Sequence, residues 1–218
     1  MHLLLIHQNF PGQFRDLAPA WLNAGHRITA IGSTAKAPAG PQWEGLRFLR
    51  YEFEDEPSRL ERGLAVAAIC RDLINQDEGP NLVLCHSAWG EALLLADACG
   101  RVPWICYPEL WGSARALGFG FDQGLDGLAP APHTFSSENL VTELAILQSD
   151  AAVVPSRCQL LSFPPHIRKR LSLLPEGVDL TQTRPDPNAE LLLPDLRLQL
   201  KAGQPLVTFI SRDLEPLP

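Results

Sequence analysis

The chain has 218 residues, of which 45% are hydrophobic and 20% are charged, a balance typical of a globular protein with a sizeable core. Its formal net charge of -7 argues against nucleic-acid binding, because neutralising phosphates needs clustered lysine and arginine. The sequence shows neither a signal peptide nor an apolar run of about 18 residues. We therefore expect a cytoplasmic protein without a transmembrane segment, with peripheral association at the inner membrane as an alternative location.

The cysteines and histidines give no sign of a metal site. Five cysteines are present, which is an odd number, and they form no CxxC pair. We interpret them as reduced core residues of a cytosolic protein rather than as disulfides or ligands. The histidines are scattered without ligand spacing, so we expect no bound metal and no other cofactor.

Short apolar runs alternate with helical patterns along most of the chain. The runs predict seven buried strands, at residues 3–7, 26–31, 46–51, 81–85, 102–107, 151–154 and 171–174. The spacing of apolar residues predicts helices at 13–24, 57–76, 89–99 and 137–148. For the long second helix we expect an inward face made of Leu60, Leu64, Ala67, Ala68, Leu73 and Ile74.

The alternation predicts an α/β fold. Strands that are apolar throughout and separated by helices form parallel sheets covered on both faces. Residues 1–176 should therefore form a Rossmann-like, doubly wound, mainly parallel sheet. Residues 177–204 are rich in proline and predict a connector with one short hairpin. An apolar run within 205–218 predicts the first strand of a truncated second domain.

Ligands of doubly wound sheets bind beyond the carboxyl ends of the strands. The loop after the first strand contains Gly12 and Gln13. A glycine there lets a ligand approach the backbone closely, and a helix N-terminus favours an anion. Both residues are candidates for contacting a ligand, and a purely structural turn is an equally good interpretation. His7, at the end of the same strand, is a weaker candidate.

The loops after the fourth and fifth strands carry the other candidates. His86 can exchange a proton near neutral pH, and Trp89 offers a flat apolar face on which a sugar can stack. Glu91 can accept hydrogen bonds from hydroxyl groups, and its alternative is an acid in the first turn of a helix. Glu109 should face the same cleft, with a solvated loop carboxylate as its alternative. We expect His86 and Glu109 to be catalytic and Trp89 and Glu91 to bind the ligand.

Five segments occur in an order that resembles the N-terminal part of bacterial family 4 glycosyltransferases. They are HQNFPGQF at 7–14, HSAWGE at 86–91, SDAAVVPSRCQLLSFP at 149–164, LPEGVD at 174–179 and FISRDLEP at 209–216. The resemblance covers nearly the whole chain. It is strongest in the first segment and in the last two.

The resemblance implies the N-terminal half of a GT-B architecture, in which this domain binds the acceptor and a second domain binds the donor. It implies transfer from a nucleotide sugar to a sugar, lipid or polysaccharide acceptor with retention of the anomeric configuration, and no bound metal. Arg212 matches the family's basic residue that contacts the donor diphosphate, a role that suits a guanidinium fork. The loop at Gly12 matches the segment that closes over donor and acceptor.

Some features depart from the family pattern. The second donor-contacting basic residue and the E-x7-E motif are absent, and Glu109 stands where many members have a histidine. We therefore expect little or no hexosyl transfer by this chain alone, with a donor-domain partner chain or a homodimer needed to complete the site. Two alternatives stay open: a non-catalytic binding or partner module of a split glycosyltransferase, and an unrelated Rossmann-like binder of nucleotides or sugar phosphates.

Overall fold

The computed structural model describes residues 1–33, 42–114, 116, 132–181 and 183–207. These residues divide into two compact units, residues 1–175 and residues 176–218. Within the described residues, no helix is long and apolar enough to cross a membrane.

The first unit alternates strands with helices. Its strands are β1 His2–Ile6, β2 Arg27–Ser33, β3 Leu46–Tyr51, β4 Leu82–His86, β5 Trp104–Tyr107, β6 Ala151–Val154 and β7 Leu171–Leu173. Its α-helices are α1 Leu17–Asn23, α2 Arg59–Asn75, α3 Leu95–Cys99, α4 Pro132–Gln148, α5 Arg157–Ser162 and α6 Pro165–Arg168. A 3-10 turn, Gly12–Phe14, precedes α1.

The seven strands form one sheet in the order β3-β2-β1-β4-β5-β6-β7, and every pairing is parallel. Ile6 at the end of β1 pairs with Ile31 on one side and with Cys85 on the other. The chain moves outward in one direction from β1 to β3 and then in the other from β4 to β7. This topology confirms the predicted Rossmann-like fold and places a switch point between β1 and β4, where ligands of such sheets bind.

The two faces of the sheet carry separate hydrophobic clusters. The larger one joins the sheet to α2, α3, α4 and α6 through residues such as Cys70, Leu95, Ile146 and Ile167. The smaller one joins β1 and β2 to the 3-10 turn and α1 through Phe10, Phe14 and Ala18. Both clusters support the strand ends at which the candidate residues lie.

Helix α2 begins with a complete capping box, in which the Ser58 side chain accepts from the Glu61 N–H and Glu61 accepts from the Ser58 N–H. The inward face predicted for this helix is wrong in part, because Leu60 is 56% exposed and Leu64 is 49% exposed. The buried residues are Arg62, Gly63, Val66, Ala67, Cys70 and Leu73. A Cβ atom at Gly63 would lie 3.0 Å from Leu93 Cβ, so the absence of a side chain there allows the close packing.

Two predicted helices are shorter than expected. The first begins at Leu17 rather than at residue 13, with Pro19 in the first turn, where its missing N–H breaks no helical hydrogen bond. The third covers only Leu95–Cys99, because Gly90 has a φ of +116°. A Cβ atom at Gly90 would lie 2.4 Å from the carbonyl oxygen of Arg59, so residues before α3 form tight turns against α2.

The second unit contains the predicted hairpin, formed by the antiparallel strands β8 Glu190–Leu193 and β9 Leu198–Lys201. A 3-10 turn, Pro194–Leu196, connects them. Leu206 and Val207 are not part of a strand. The remainder of the strand predicted within 205–218 lies outside the described residues.

Candidate functional site

His86 ends β4 and is fully buried. Its Nε2 lies 3.0 Å from Oε2 of Glu109, which follows the neighbouring strand β5. The imidazole stacks with the ring of Trp89 at 4.3 Å between centroids and with that of Tyr107 at 5.6 Å. The carboxyl ends of β4 and β5 therefore bring the two predicted catalytic residues into contact, with Trp89 packed on the same imidazole.

Glu109 presents this pair to solvent, because its side chain is 41% exposed while that of His86 is 1% exposed. Its backbone has a φ of +60°, an unfavourable conformation for a residue other than glycine. Such strain persists only where the surrounding structure fixes it, and it is frequent at functional sites.

The loop that carries Glu109 is fastened to helices α4 and α5. The Asn139 amide on α4 forms two hydrogen bonds of 2.8 Å with one residue, accepting from the Gly112 N–H and donating to the Gly112 carbonyl. The Trp111 N–H donates to the hydroxyl of Ser162 on α5 at 3.1 Å. These contacts hold the backbone directly after Glu109.

His7 follows β1 and packs against the same imidazole, with 4.7 Å between the His7 and His86 ring centroids. The Nδ1 atom of His7 accepts from the Asn9 N–H at 3.0 Å, so the ring proton belongs on Nε2. Nε2 then donates to Oε1 of Gln13 at 2.5 Å. Burial, and after it the neighbouring His86, lowers the pKa of His7 to about 4. His7 is therefore a neutral hydrogen-bonding residue rather than a proton acceptor.

Gly12 and Gln13 are both packed onto His7. Gly12 has a φ of +45°, and a Cβ atom there would lie 2.3 Å from His7 Nε2. Gln13 holds the His7 ring through its side-chain oxygen. The structure thus shows why a glycine is needed in this loop, and it places both predicted ligand contacts above the ring of His7.

Glu91 is completely enclosed, with no exposed surface. The Tyr51 hydroxyl, at the end of β3, donates to Oε1 of Glu91 at 2.6 Å. Burial raises the pKa of Glu91, and it also raises the pKa of Tyr51, which keeps the phenol protonated. In this structure Glu91 lies beneath the predicted ligand contacts instead of among them.

Sequence reasoning missed a buried arginine next to this carboxyl group. Arg62 on α2 donates to Oε1 of Gln8 at 2.8 Å and forms an ion pair with Glu56. Gln8, which directly follows His7, was the available signal, because it is a polar residue at the carboxyl end of a buried strand. Asn139 was missed as well, since nothing in its local sequence indicates that its side chain holds a distant loop. We call its two hydrogen bonds with Gly112 the Asn139 clasp.

Arg212 lies outside the described residues, and the described part of the site consists of the strand-end residues. Within the described part of the chain, no group of three or more histidine, cysteine or acidic residues is placed to hold a metal ion. The arrangement offers one accessible carboxylate hydrogen-bonded to a buried imidazole. Such a pair can orient a ligand hydroxyl and accept its proton.

Residues 24–183 match the Glycosyl transferase family 4 group, which is well over half of the chain. No curated protein is similar enough to count as a match.

Solved structures that resemble this chain include Os79 from O. sativa in complex with UDP (13% identity, TM-score 0.47, 73% of this chain and 47% of that chain). Another is UGT89C1 from Arabidopsis thaliana complexed with UDP-L-rhamnose (16% identity, TM-score 0.43, 85% of this chain and 54% of that chain). A third is UDP-GlcNAc 2-epimerase from Neisseria meningitidis bound to UDP-GlcNAc (14% identity, TM-score 0.48, 79% of this chain and 46% of that chain). The chain spans about half the length of these proteins. Since these TM-scores are below 0.5, the fold is established by the sheet topology.

Proposed function

The chain belongs to the Glycosyl transferase family 4 group, and we propose that it forms the acceptor-side domain of a nucleotide-sugar-dependent, retaining glycosyltransferase. The acceptor is a sugar, or a lipid or polysaccharide that carries one. A donor-binding domain completes the enzyme, and no metal or cofactor takes part.

The observation that carries this proposal is the His86–Glu109 pair at the carboxyl edge of the sheet. Glu109 is accessible and accepts a hydrogen bond from the acceptor hydroxyl, which increases the electron density on the attacking oxygen. His86 is buried and donates to Glu109, so it orients the carboxylate without itself meeting solvent. The Asn139 clasp keeps this geometry in place, despite the strain at Glu109, before the acceptor arrives.

The other strand-end residues have supporting roles in this proposal. Trp89 is only half-buried, so its indole adds an apolar surface beside the carboxylate for the acceptor ring. Gly12 and Gln13 form the wall on the His7 side. Arg212 belongs to the donor side, where its guanidinium binds the diphosphate of the nucleotide sugar.

The proposal is tested by comparing two ligand classes on the 218-residue chain. Calorimetric titration with UDP, GDP and ADP and their sugar conjugates should show no dissociation constant below about 100 μM, equivalent to about -5.5 kcal/mol. Titration with mono- and oligosaccharides, followed by NMR, should shift the Trp89 indole signal. Tight nucleotide binding without any sugar response would contradict the acceptor-side assignment.

A matched pair of variants separates the site from general surface effects. Glu109→Gln should weaken the sugar response at least several-fold. Glu78→Gln removes a carboxylate of similar exposure, 38% against 41%, that pairs with Arg47 near the amino end of β3, at the opposite edge of the sheet from Glu109. It should leave the response unchanged, and equal weakening by both variants would remove Glu109 from the site.

A further inference from the structure

Two buried polar atoms beneath the site lack a hydrogen-bond partner within the described residues. They are Nδ1 of His86 and Oε2 of Glu91, and both residues are 0% exposed. Unsatisfied buried groups are rare in folded proteins, because each one costs the full desolvation free energy. Two of them in neighbouring residues of one enclosed cluster need a common explanation.

The proton positions of His86 follow from its accessible side. Its Nε2 lies 3.0 Å from the Glu109 carboxylate, which only accepts hydrogen bonds. Nε2 therefore carries the proton, and in the neutral ring Nδ1 is left with a lone pair that faces inward. A lone pair in this position is satisfied by a donor.

The proton position of Glu91 follows in the same way. Oε1 accepts from the Tyr51 hydroxyl at 2.6 Å, so a proton on this carboxyl group belongs on Oε2. The unpartnered oxygen is thus the one that becomes a donor in the neutral acid. A donor without an acceptor and an acceptor without a donor are complementary.

The titratable groups around Glu91 are compatible with a neutral carboxylic acid at this position. Tyr51 faces it from β3, Arg62 from α2, and His86 and Cys85 from β4. Arg62 is already engaged by Gln8 and by Glu56. Burial is the largest influence on Glu91 and raises its pKa, and burial likewise raises the pKa of the Cys85 thiol, so both groups are shifted toward their neutral forms. His86 is faced in turn by His7 and Glu109.

We propose that Glu91 is a positioning residue for His86, holding the imidazole from inside by directing the proton of its neutral carboxylic acid toward Nδ1. The Nε2–H of His86 then stays directed at Glu109, and the imidazole ring cannot flip to exchange the positions of its two nitrogens. The two inner atoms share no hydrogen bond in this structure, so a side-chain rotation or a bridging water closes the link. This inference rests on the proposed function for its consequence, since it explains how Glu109 is held toward the acceptor.

Infrared difference spectroscopy of the full chain tests the protonation state directly. At neutral pH, the wild-type protein should show the C=O stretching band of a buried protonated carboxylic acid, and Glu91→Gln should remove it. The absence of any such band that depends on Glu91 would overturn the proposal.

Nitrogen-15 NMR of the histidine rings tests the link to His86. In wild type and in Glu91→Gln, whose amide also donates, the Nδ1 signal should be that of a hydrogen-bonded acceptor nitrogen. In the double variant Tyr51→Phe/Glu91→Met, which replaces both partners by apolar groups of similar size, it should move to the position of an unbonded nitrogen. Tyr51→Phe alone keeps the acid and should leave the signal in place.

An unchanged Nδ1 signal in the double variant would also overturn the proposal. If the double variant does not fold, the infrared comparison decides. Neither measurement needs a donor or an acceptor. A positive result here together with no sugar response would therefore contradict the proposed function alone.

Discussion

Gly12 lies against the imidazole of His7 so closely that a Cβ atom at position 12 would be 2.3 Å from Nε2, 2.4 Å from Cε1 and 2.6 Å from Cδ2. The same Nε2 donates to Gln13, the next residue along the chain. The turn and the ring therefore form one unit, in which the loop is shaped by the side chain it covers.

The substitution Gly12→Ala should destabilise the protein by about 3 kcal/mol. About 1 kcal/mol comes from the positive φ, and the rest comes from displacing the His7 ring and its hydrogen bonds. Denaturant unfolding measures the loss. Gly25→Ala is the matched control, because Gly25 has a φ of +82° with no atom within 4 Å of the added Cβ, and it should cost only about 1 kcal/mol.

The steric part of this cost should disappear when the ring is removed. In a His7→Ala background, Gly12→Ala should cost no more than Gly25→Ala, so the two sites should show a coupling free energy of about 2 kcal/mol. Additive effects of His7→Ala and Gly12→Ala would mean that the ring and the glycine do not constrain each other.

Acidification should destabilise the folded protein through His7. Its pKa is lowered from 6.5 to about 4, so between these values the unfolded state binds a proton that the folded state does not. The free energy of unfolding should fall by about 2 kcal/mol between pH 7 and pH 5 from this residue. His2 adds a loss of the same sign because burial lowers its pKa too. The measurement is therefore the difference between wild type and His7→Gln, and parallel pH profiles would exclude this role.

Glu91 should affect the stability of the wild type in the opposite direction from His7, so that its contribution to the free energy of unfolding falls as the pH rises. Burial raises the pKa of Glu91, so above pH 4.5 the unfolded state releases a proton that the folded state retains. This lowers the stability of the wild type as the pH rises, while glutamine has no proton to lose. The variant should gain stability relative to wild type from pH 5 to pH 8 in denaturant unfolding, and a constant difference would count against a neutral Glu91.

Removing the clasp with Asn139→Ala should destabilise the protein by about 2 kcal/mol, because the N–H and the carbonyl of Gly112 both lose their partner. Amide hydrogen exchange should become faster in the peptide that contains Trp111 and Gly112. Leu140→Ala, at a position 67% exposed on the same helix, is the control and should change stability by less than about 0.5 kcal/mol. Unchanged exchange in Asn139→Ala would show that other contacts hold the loop.

The sheet could be predicted because buried parallel strands are apolar along their whole length, as Leu3, Leu4, Leu5 and Ile6 are in β1. The contact between His86 and Glu109 was within reach for the same reason, since the ends of neighbouring parallel strands lie side by side. The conformation of Glu109 was not, because the loop after it is held at Gly112 by Asn139, which lies thirty positions beyond Glu109 in the chain.

The error on the inward face of α2 has a physical cause. Hydrophobic patterning treats an arginine as exposed and a glycine as neutral, whereas Arg62 and Gly63 are both buried. Arg62 is buried because Gln8 and Glu56 satisfy it, and Gly63 is buried because Leu93 packs where a side chain would be. Such pairings join distant parts of the sequence and leave no local pattern.

The all-parallel sheet also determines how the protein folds. No two of its strands can pair through a tight turn, and Leu3 of β1 must find Leu82 of β4 across the whole intervening chain. The hairpin of β8 and β9 needs only local contacts and can form within microseconds, whereas the sheet must first close long loops and should take milliseconds or longer. During that interval its apolar strands have open edges, so a nascent chain is most exposed to aggregation before β4 joins β1.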